Sequence, residues 1–266
     1  MKHKMISKNA SILLQYFNQK EQSFFKTMEA YEFLENHSKE AVDALLRRMI
    51  KNDLLLKIKN KLYHIIPYEV DSSNYVPNWH ITGSELAKPN PHYIGYFSAL
   101  QIHELTTQPS YIEQVVVQKQ VRPNPYELQG VQFQFIYHNK KHFFGFKNTW
   151  IDDFHKLPVS DLEKTIIDCL YKPNYAGGIV EISKAIFKAQ KKINFEKLGQ
   201  YIIQFGAQSV RKRLGLLLEL LGIAPSFSNE LLADISNSIV RLDPSLPAEG
   251  NYTTRWKLQL NVDIKT

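Results

Sequence analysis

The sequence predicts an α+β chain in two parts, a small amino-terminal module followed by a larger α+β domain with a small antiparallel sheet and several helices. Three observations lead there. Short amphipathic helical segments and a paired-strand pattern fill residues 1–67; a stretch rich in Ser, Asn and Pro over residues 68–91 breaks the periodicity; and from residue 92 to 266 strand-like runs give way to a series of helices. With 266 residues and 44% hydrophobic content, the chain has enough apolar surface for two cores.

In the first part, Ser11–Phe17 places Ile12, Leu13, Tyr16 and Phe17 on one side of a helix. Thr27 is positioned to cap a second, shorter helix over Met28–Leu34, and Asn36-His37 interrupts it. Ser38 then opens a third, in which Val42, Leu45, Leu46, Met49 and Ile50 repeat at helical spacing. Lys39, Glu40, Asp43, Ala44, Arg47, Arg48 and Lys51 fall on its other side. Asn52-Asp53 ends that helix. Leu54–Lys59 and Lys61–Ile66 read as two strands turning at Asn60, and Pro67 closes the hairpin.

Three short helices followed by a basic hairpin follow the plan of a winged helix-turn-helix. In that plan the third helix enters the major groove of double-stranded DNA and the hairpin lies along the neighbouring backbone. The candidate contacts are Ser38, Lys39, Ala44, Arg47 and Arg48 near the groove, with Lys51, Lys57, Lys59 and Lys61 on phosphates. Glu40 and Asp43 oppose this unless they point aside or accept from a base amino group. A lysine- and arginine-bearing helix face is also what ordinary solvation produces, and winged helices serve as protein-interaction modules as well. Charge distribution favours an anionic partner: of the net +7, residues 1–67 hold twelve Lys/Arg against seven Asp/Glu, and the remainder twenty-one against nineteen.

In the second part, Tyr93–His103 reads as a helix. Glu113–Val117, Gln132–Tyr137 and Lys141–Phe146 read as strands, the last two joined in a hairpin at His138-Asn139-Lys140. Ser160 and Glu163 form a capping box for a helix burying Leu162, Ile166, Cys169 and Leu170. Helices at about 178–191, 195–205 and 207–221 follow. Arg255–Val262 alternates as a strand returning to the sheet.

Catalytic chemistry finds no complete motif. His138 and His142 have a spacing used by metal ligands but no third ligand nearby. Gly83-Ser84 lacks the following pair of aspartates that would hold magnesium for nucleotidyl transfer. Asp152, Asp153, Asp161, Glu163 and Lys164 could be arranged as a nuclease, although acids at a helix N-terminus are favoured there anyway. Asp152, Asp161, Glu163 and Asp168 sharing one open cleft would strengthen that alternative, a DNA-associated nuclease or nucleotide-modifying enzyme delivered by a winged helix. No nucleophile elbow or phosphate-binding loop is present, so no enzyme, cofactor or metal is expected. The basic run Arg211-Lys212-Arg213 is expected to face solvent or to pair internally with Glu219. The single cysteine, Cys169, excludes a disulfide or thiolate metal site. That usage fits a reducing cytoplasm. The polar start of the chain and the lack of a run of roughly 20 apolar residues predict a soluble, unexported protein with no membrane partner.

Several blocks together resemble a known family. They are Arg47-Arg48-Met49-Ile50 through Tyr63-His64-Ile65, Tyr93-Ile94-Gly95-Tyr96-Phe97-Ser98-Ala99-Leu100-Gln101-Ile102-His103-Glu104-Leu105-Thr106, Val159-Ser160-Asp161-Leu162-Glu163-Lys164-Thr165-Ile166-Ile167-Asp168, Pro173-Asn174-Tyr175-Ala176-Gly177-Gly178-Ile179 and Arg213-Leu214-Gly215-Leu216-Leu217-Leu218-Glu219. In this order, spanning about residues 7–219, they resemble the AbiEi-type antitoxins of type IV, abortive-infection toxin-antitoxin systems. The resemblance implies an autorepressor that binds inverted repeats in its own promoter and counters a neighbouring nucleotidyltransferase-like toxin without forming a stable complex with it. It further implies an amino-terminal DNA-binding domain, a carboxy-terminal domain supporting antitoxicity and cooperative assembly on DNA, and no catalytic residues. Operator symmetry fits a homodimer on paired half-sites, and a monomer binding cooperatively would give the same sequence pattern.

Overall fold

The computed structural model describes residues 5–233 and 235–264; the polar start read from residues 1–4 lies outside them. The chain is mixed α+β and divides into two compact units, residues 1–86 with 127–130, and residues 87–126 with 131–266. Among the described residues no helix is long and apolar enough to cross a membrane.

In the first unit α1 (Lys8–Gln19) starts at Ser7, whose hydroxyl accepts from the amide of Ala10. α1 buries Ala10, Leu13 and Phe17, while Ile12, expected on the buried side, is 39% exposed. The buried set at i, i+3, i+7 rotates Ile12 outward. Phe24–Lys26 is a strand, β1, where the sequence suggested only an approach to a helix. Three residues are too few to show alternation, and the partner of β1 is nearly forty residues away in β3. α2 (Thr27–Phe33) follows; Thr27 is its first residue and Lys26 occupies the cap position, with the Glu29 carboxylate accepting from the Lys26 amide at 2.7 Å. α3 (Lys39–Lys51) begins at Ser38, whose hydroxyl accepts from the amide of Ala41 at 3.2 Å, as expected.

β2 (Leu55–Lys59) and β3 (Leu62–Ile65) form the hairpin, and β1 completes an antiparallel sheet in the order β1-β3-β2. Lys61 turns the hairpin in the left-handed region, at φ 62°. Leu13, Phe17, Phe25, Leu45, Leu46 and Met49 meet in the core, with the Phe17 and Phe25 rings stacked at 4.3 Å. Residues 68–91 are not wholly irregular. α4 (Trp79–Ala87) lies among them, its first amides held by the Asn78 side chain at 3.0 and 3.2 Å. Pro77 and Pro89, which suggested a loop, flank this helix on either side.

The second unit is built on a six-stranded mixed sheet, not the small antiparallel one that the sequence predicts. Its strands are β4 (His92–Ile94), β5 (Ile112–Val117), β6 (Tyr126–Leu128), β7 (Val131–Tyr137), β8 (Phe146–Trp150) and β9 (Lys156–Ser160), in the order β6-β7-β5-β4-β9-β8. The sheet is mixed because β5 pairs in parallel with β7, and β4 with β9, across long connections, while β8 runs antiparallel to β9.

The structure departs from four further expectations in this unit. The single helix expected over Tyr93–His103 is a strand, β4, and then a helix, α5 (Tyr96–Ile102), because Tyr93 and Ile94 pair with β5 on one side and Ile94 with β9 on the other. The expected hairpin between Gln132–Tyr137 and Lys141–Phe146 does not form. Asn139 instead caps a 3-10 turn at Lys140–His142, and β7 and β8 are separated by three strands. The helix after Pro158, α6 (Leu162–Tyr171), is capped by Asp161, not Ser160: the Asp161 carboxylate accepts from the amide of Lys164 at 2.9 Å, and Ser160 ends β9. Lastly, the carboxy-terminal strand does not return to the large sheet. β12 (Leu258–Leu260) joins β10 (Val240–Arg241) and β11 (Asn251–Thr253) in a separate small sheet.

Helices α7 (Ile179–Ala189), α8 (Phe195–Phe205) and α9 (Gln208–Leu220) fall where the periodicity predicted them, and α10 (Ser228–Ala233) follows. Together with α6 they enclose a core that includes Ile166, Leu170, Ile182, Leu198, Phe205, Leu214 and Trp256.

Candidate nucleic-acid interface

Helical geometry divides α3 into two faces. Val42, Leu45, Leu46 and Met49 are each at most 5% exposed. Opposite them, at i, i+4, i+7, i+11 spacing, stand Glu40, Ala44, Arg47 and Lys51; the two cations and Glu40 are exposed and Ala44 is half-buried. Arg48 and Lys39 lie on the two flanks. The Lys39 ammonium sits 5.9 Å from the centre of the Tyr31 ring. Arg48 lines a groove of about 300 Å³ with Lys8, His37, Ser7 and Leu34, so three basic residues border it.

The two acids of this helix behave differently. Asp43 accepts a 2.8 Å hydrogen bond from the Tyr31 hydroxyl of α2, which draws its charge off the outward stripe and raises the tyrosine pKa. Glu40 remains exposed on that stripe.

On the hairpin, Lys57 and Lys61 are exposed. Lys59 is half-buried and donates to the carbonyl of Leu86 at 2.9 Å; burial lowers its pKa, and the charge of Lys26 lowers it further. Its ammonium is thus turned into the unit and is a poor donor to a phosphate. Lys26 itself is exposed on β1, in register with Leu62 as Lys59 is, whereas Lys57 pairs with Tyr63 and Lys61 lies in the turn. Lys26 was missed because β1 was not legible as a strand.

The remaining candidates are scattered. Arg211-Lys212-Arg213 is not a solvent-facing cluster: Lys212 is 0% and Arg213 3% exposed. The Arg213 guanidinium donates to the carbonyls of Leu170 (2.7 Å), Arg241 (2.9 Å) and Leu242 (3.0 Å), joining α6 to the strand β10. Lys212 donates to Ser236 and Ser238, and Glu219 binds Arg255 and the Trp256 indole instead. A long cation can cap carbonyls inside a core, which charge runs do not reveal.

The acids do not share one cleft. Asp161 and Glu163 both lie 3.0 Å from the Lys197 ammonium, and their hydrogen bonds and charges raise its pKa against the opposing effect of burial. Asp152 binds His155 at 2.8 Å in the β8–β9 turn, and Asp168 is completely buried. Among the described residues no three His, Cys, Asp or Glu side chains are grouped as metal ligands.

Asp168 belongs to a buried polar cluster that the sequence did not reveal. Its carboxylate accepts from Lys164, one helical turn away, and from the Tyr93 hydroxyl at 2.8 Å; Lys164 also donates to Tyr93 at 2.9 Å. Tyr96 reaches Nε2 of His138 at 2.7 Å, and Tyr93 reaches its Nδ1 at 3.3 Å. Burial pushes the Lys164 pKa down and that of Asp168 up, each only partly offset by the other's charge. Burial, with the charges of Lys164 and Lys172, drives His138 down to about 2. The available signal was the charged pair Lys164 and Asp168 at i, i+4, set among Ile166, Ile167, Cys169 and Leu170.

The fold and this geometry define a two-unit α+β protein with a basic helix-and-hairpin surface on its first unit. No family model matches the sequence, and no curated protein does. The chain is similar to a solved structure, the crystal structure of the RV2827C protein from Mycobacterium tuberculosis, with a TM-score of 0.71 at 13% identity over 96% of this chain and 92% of that one. At that identity the likeness is one of fold.

Proposed function

We propose that the first unit is a winged helix-turn-helix that binds double-stranded promoter DNA. On this reading α3 enters the major groove, and the hairpin bearing Lys57 and Lys61 is the wing. The observation that carries it is the outward stripe of α3, where Arg47 and Lys51 are exposed beside the half-buried Ala44, with Glu40 the one acid left on the stripe once Tyr31 bonds Asp43. Arg47 is the strongest candidate for a base edge, since a guanidinium can bond a guanine bidentately. Lys51, Lys57, Lys61 and Arg48, with Lys26 added and Lys59 relegated, suit phosphates. Joined to the AbiEi resemblance, this makes the protein a non-enzymatic autorepressor and antitoxin of a type IV system, countering a nucleotidyltransferase-like toxin. The dispersal of the acids lends no support to a nuclease.

Fluorescence anisotropy with the promoter of the protein's own operon tests this. Binding should weaken with salt, and replacing both Lys57 and Lys61 by Gln should lower the slope of log K against log salt by roughly 2, at about 0.9 for each phosphate no longer neutralised. Arg47→Ala should cost roughly 1–3 kcal/mol on the preferred site and less on random DNA. Unchanged affinity in a variant lacking Arg47, Arg48, Lys57 and Lys61 together would overturn the assignment.

A further inference from the structure

The large sheet ends at β8. In the β8–β9 ladder the Asp161 amide donates to Gly145 and the Ile151 amide to His155, both at 2.9 Å. With Lys147 opposite Val159 and Thr149 opposite Leu157, the alternation of an antiparallel ladder directs the main-chain groups of residues 147 and 149 toward β9. Those of Phe146, Asn148 and Trp150 therefore point out of the sheet. Pro158, which has no N–H to give, faces Asn148, as this alternation requires. β8 is the last strand in the sheet order, and no described strand pairs with its outer side. Phe146 and Trp150 are 39% and 59% exposed, and Phe154 in the following turn is 75% exposed.

We infer that this edge is the interface with a second copy of the chain, joined by antiparallel pairing of β8 with β8 about a two-fold axis at Asn148. The pattern Phe-Lys-Asn-Thr-Trp reads alike from both ends: aromatic, polar, Asn, polar, aromatic. With Asn148 opposite its counterpart, Phe146 of each copy faces Trp150 of the other, Lys147 faces Thr149, and all six outward-pointing residues of the two strands exchange hydrogen bonds. The two neighbouring registers compatible with the same outward groups are poorer. An axis at Lys147 sets like charges opposite each other, and an axis at Thr149 leaves Phe146 without a partner. The β8–β9 register is continuous, without a bulge that would twist this edge away, and both aromatic residues of the edge are exposed. The interface lies in the second unit and is independent of the DNA reading.

Sedimentation velocity of the full chain without DNA tests it. The wild type should show a monomer–dimer equilibrium, and Asn148→Pro should raise the dissociation constant at least roughly tenfold, since Pro removes a donor from the outer edge only. At a concentration where the wild type is monomeric its thermal transition should stay in place, because β9 does not use the Asn148 amide. Engineered cysteines report the register separately. Asn148→Cys should form a disulfide-linked dimer on mild oxidation, whereas Lys147→Cys and Thr149→Cys should do so only when mixed with each other. Native Cys169 is buried and does not compete. A wild type that stays monomeric to about 500 micromolar, a dimer that Asn148→Pro leaves intact, or crosslinking of Lys147→Cys with itself but not of Asn148→Cys would each overturn the inference.

Discussion

Replacing Asp168 by Asn removes one charge from a fully buried polar cluster and changes almost nothing in shape. Asp168 and Lys164 are both 0% exposed, so neither can turn to water. In the variant the Lys164 ammonium keeps the Tyr93 hydroxyl at 2.9 Å and the faces of Tyr93, Phe144 and Phe205 at 5.2–5.3 Å, but no adjacent anion. The nearby Asp161 carboxylate is held by Lys197 and Tyr201. Leaving one member of a buried ion pair alone costs about 3–5 kcal/mol. Removing both charges, as Lys164→Met with Asp168→Leu, should cost less than the two single changes combined, by about 1–3 kcal/mol, because the uncompensated charge is gone. Urea unfolding followed by tryptophan fluorescence is the suitable assay, since Trp150 and Trp256 report on the second unit and only Trp79 on the first. A loss under about 1 kcal/mol for Asp168→Asn, or strict additivity in the double variant, would refute the argument that burial dominates this pair.

Other perturbations probe different parts of the same reasoning. His138 is held neutral in the fold down to about pH 2 but accepts a proton near its ordinary 6.5 once unfolded. The unfolded state then binds the extra proton, so stability falls as pH drops below 6.5, by up to roughly 1.4 kcal/mol per pH unit from this group. Burial lowers His103 and His142 in the same sense. His138→Gln should flatten that slope in urea titrations between pH 6.5 and 5, and an unaltered slope would remove His138 from the account. At Gly215, a Cβ would overlap the six-membered ring of the buried Trp256, so Gly215→Ala should destabilise by about 1–3 kcal/mol in chemical unfolding. Arg213→Met strips the partners from three buried carbonyls and should cost at least about 3 kcal/mol, with promoter affinity measured below the unfolding transition unchanged; a selective loss of DNA binding would instead make this residue part of the interface.

The contrast between α3 and α6 shows how far local information reaches. The Ser38 cap, the stripe Val42, Leu45, Leu46 and Met49, and the outward Arg47 and Lys51 were legible because a helix that is half solvated writes its period into neighbouring residues. α6 is buried nearly all round, so its pattern carries no face, and the significance of Lys164 and Asp168 comes from Tyr93, more than seventy residues away. Lys59 and Arg213 make the same point for charge. Both are basic in the sequence, yet one is turned to a carbonyl of Leu86 and the other to carbonyls of α6 and β10.

By itself, then, the sequence determined the mixed α+β class, the helices α7, α8 and α9, and the basic face of α3, all of which rest on propensities and spacings within about fifteen residues. The strands β1, β4 and β9, the order of the large sheet, the small carboxy-terminal sheet and the identity of the buried ionic groups were decided only by tertiary structure. A three-residue strand has too little pattern of its own, and it becomes a strand when a distant partner satisfies its backbone. A lysine or aspartate likewise takes its place inside only when residues far along the chain converge to replace the water it gives up.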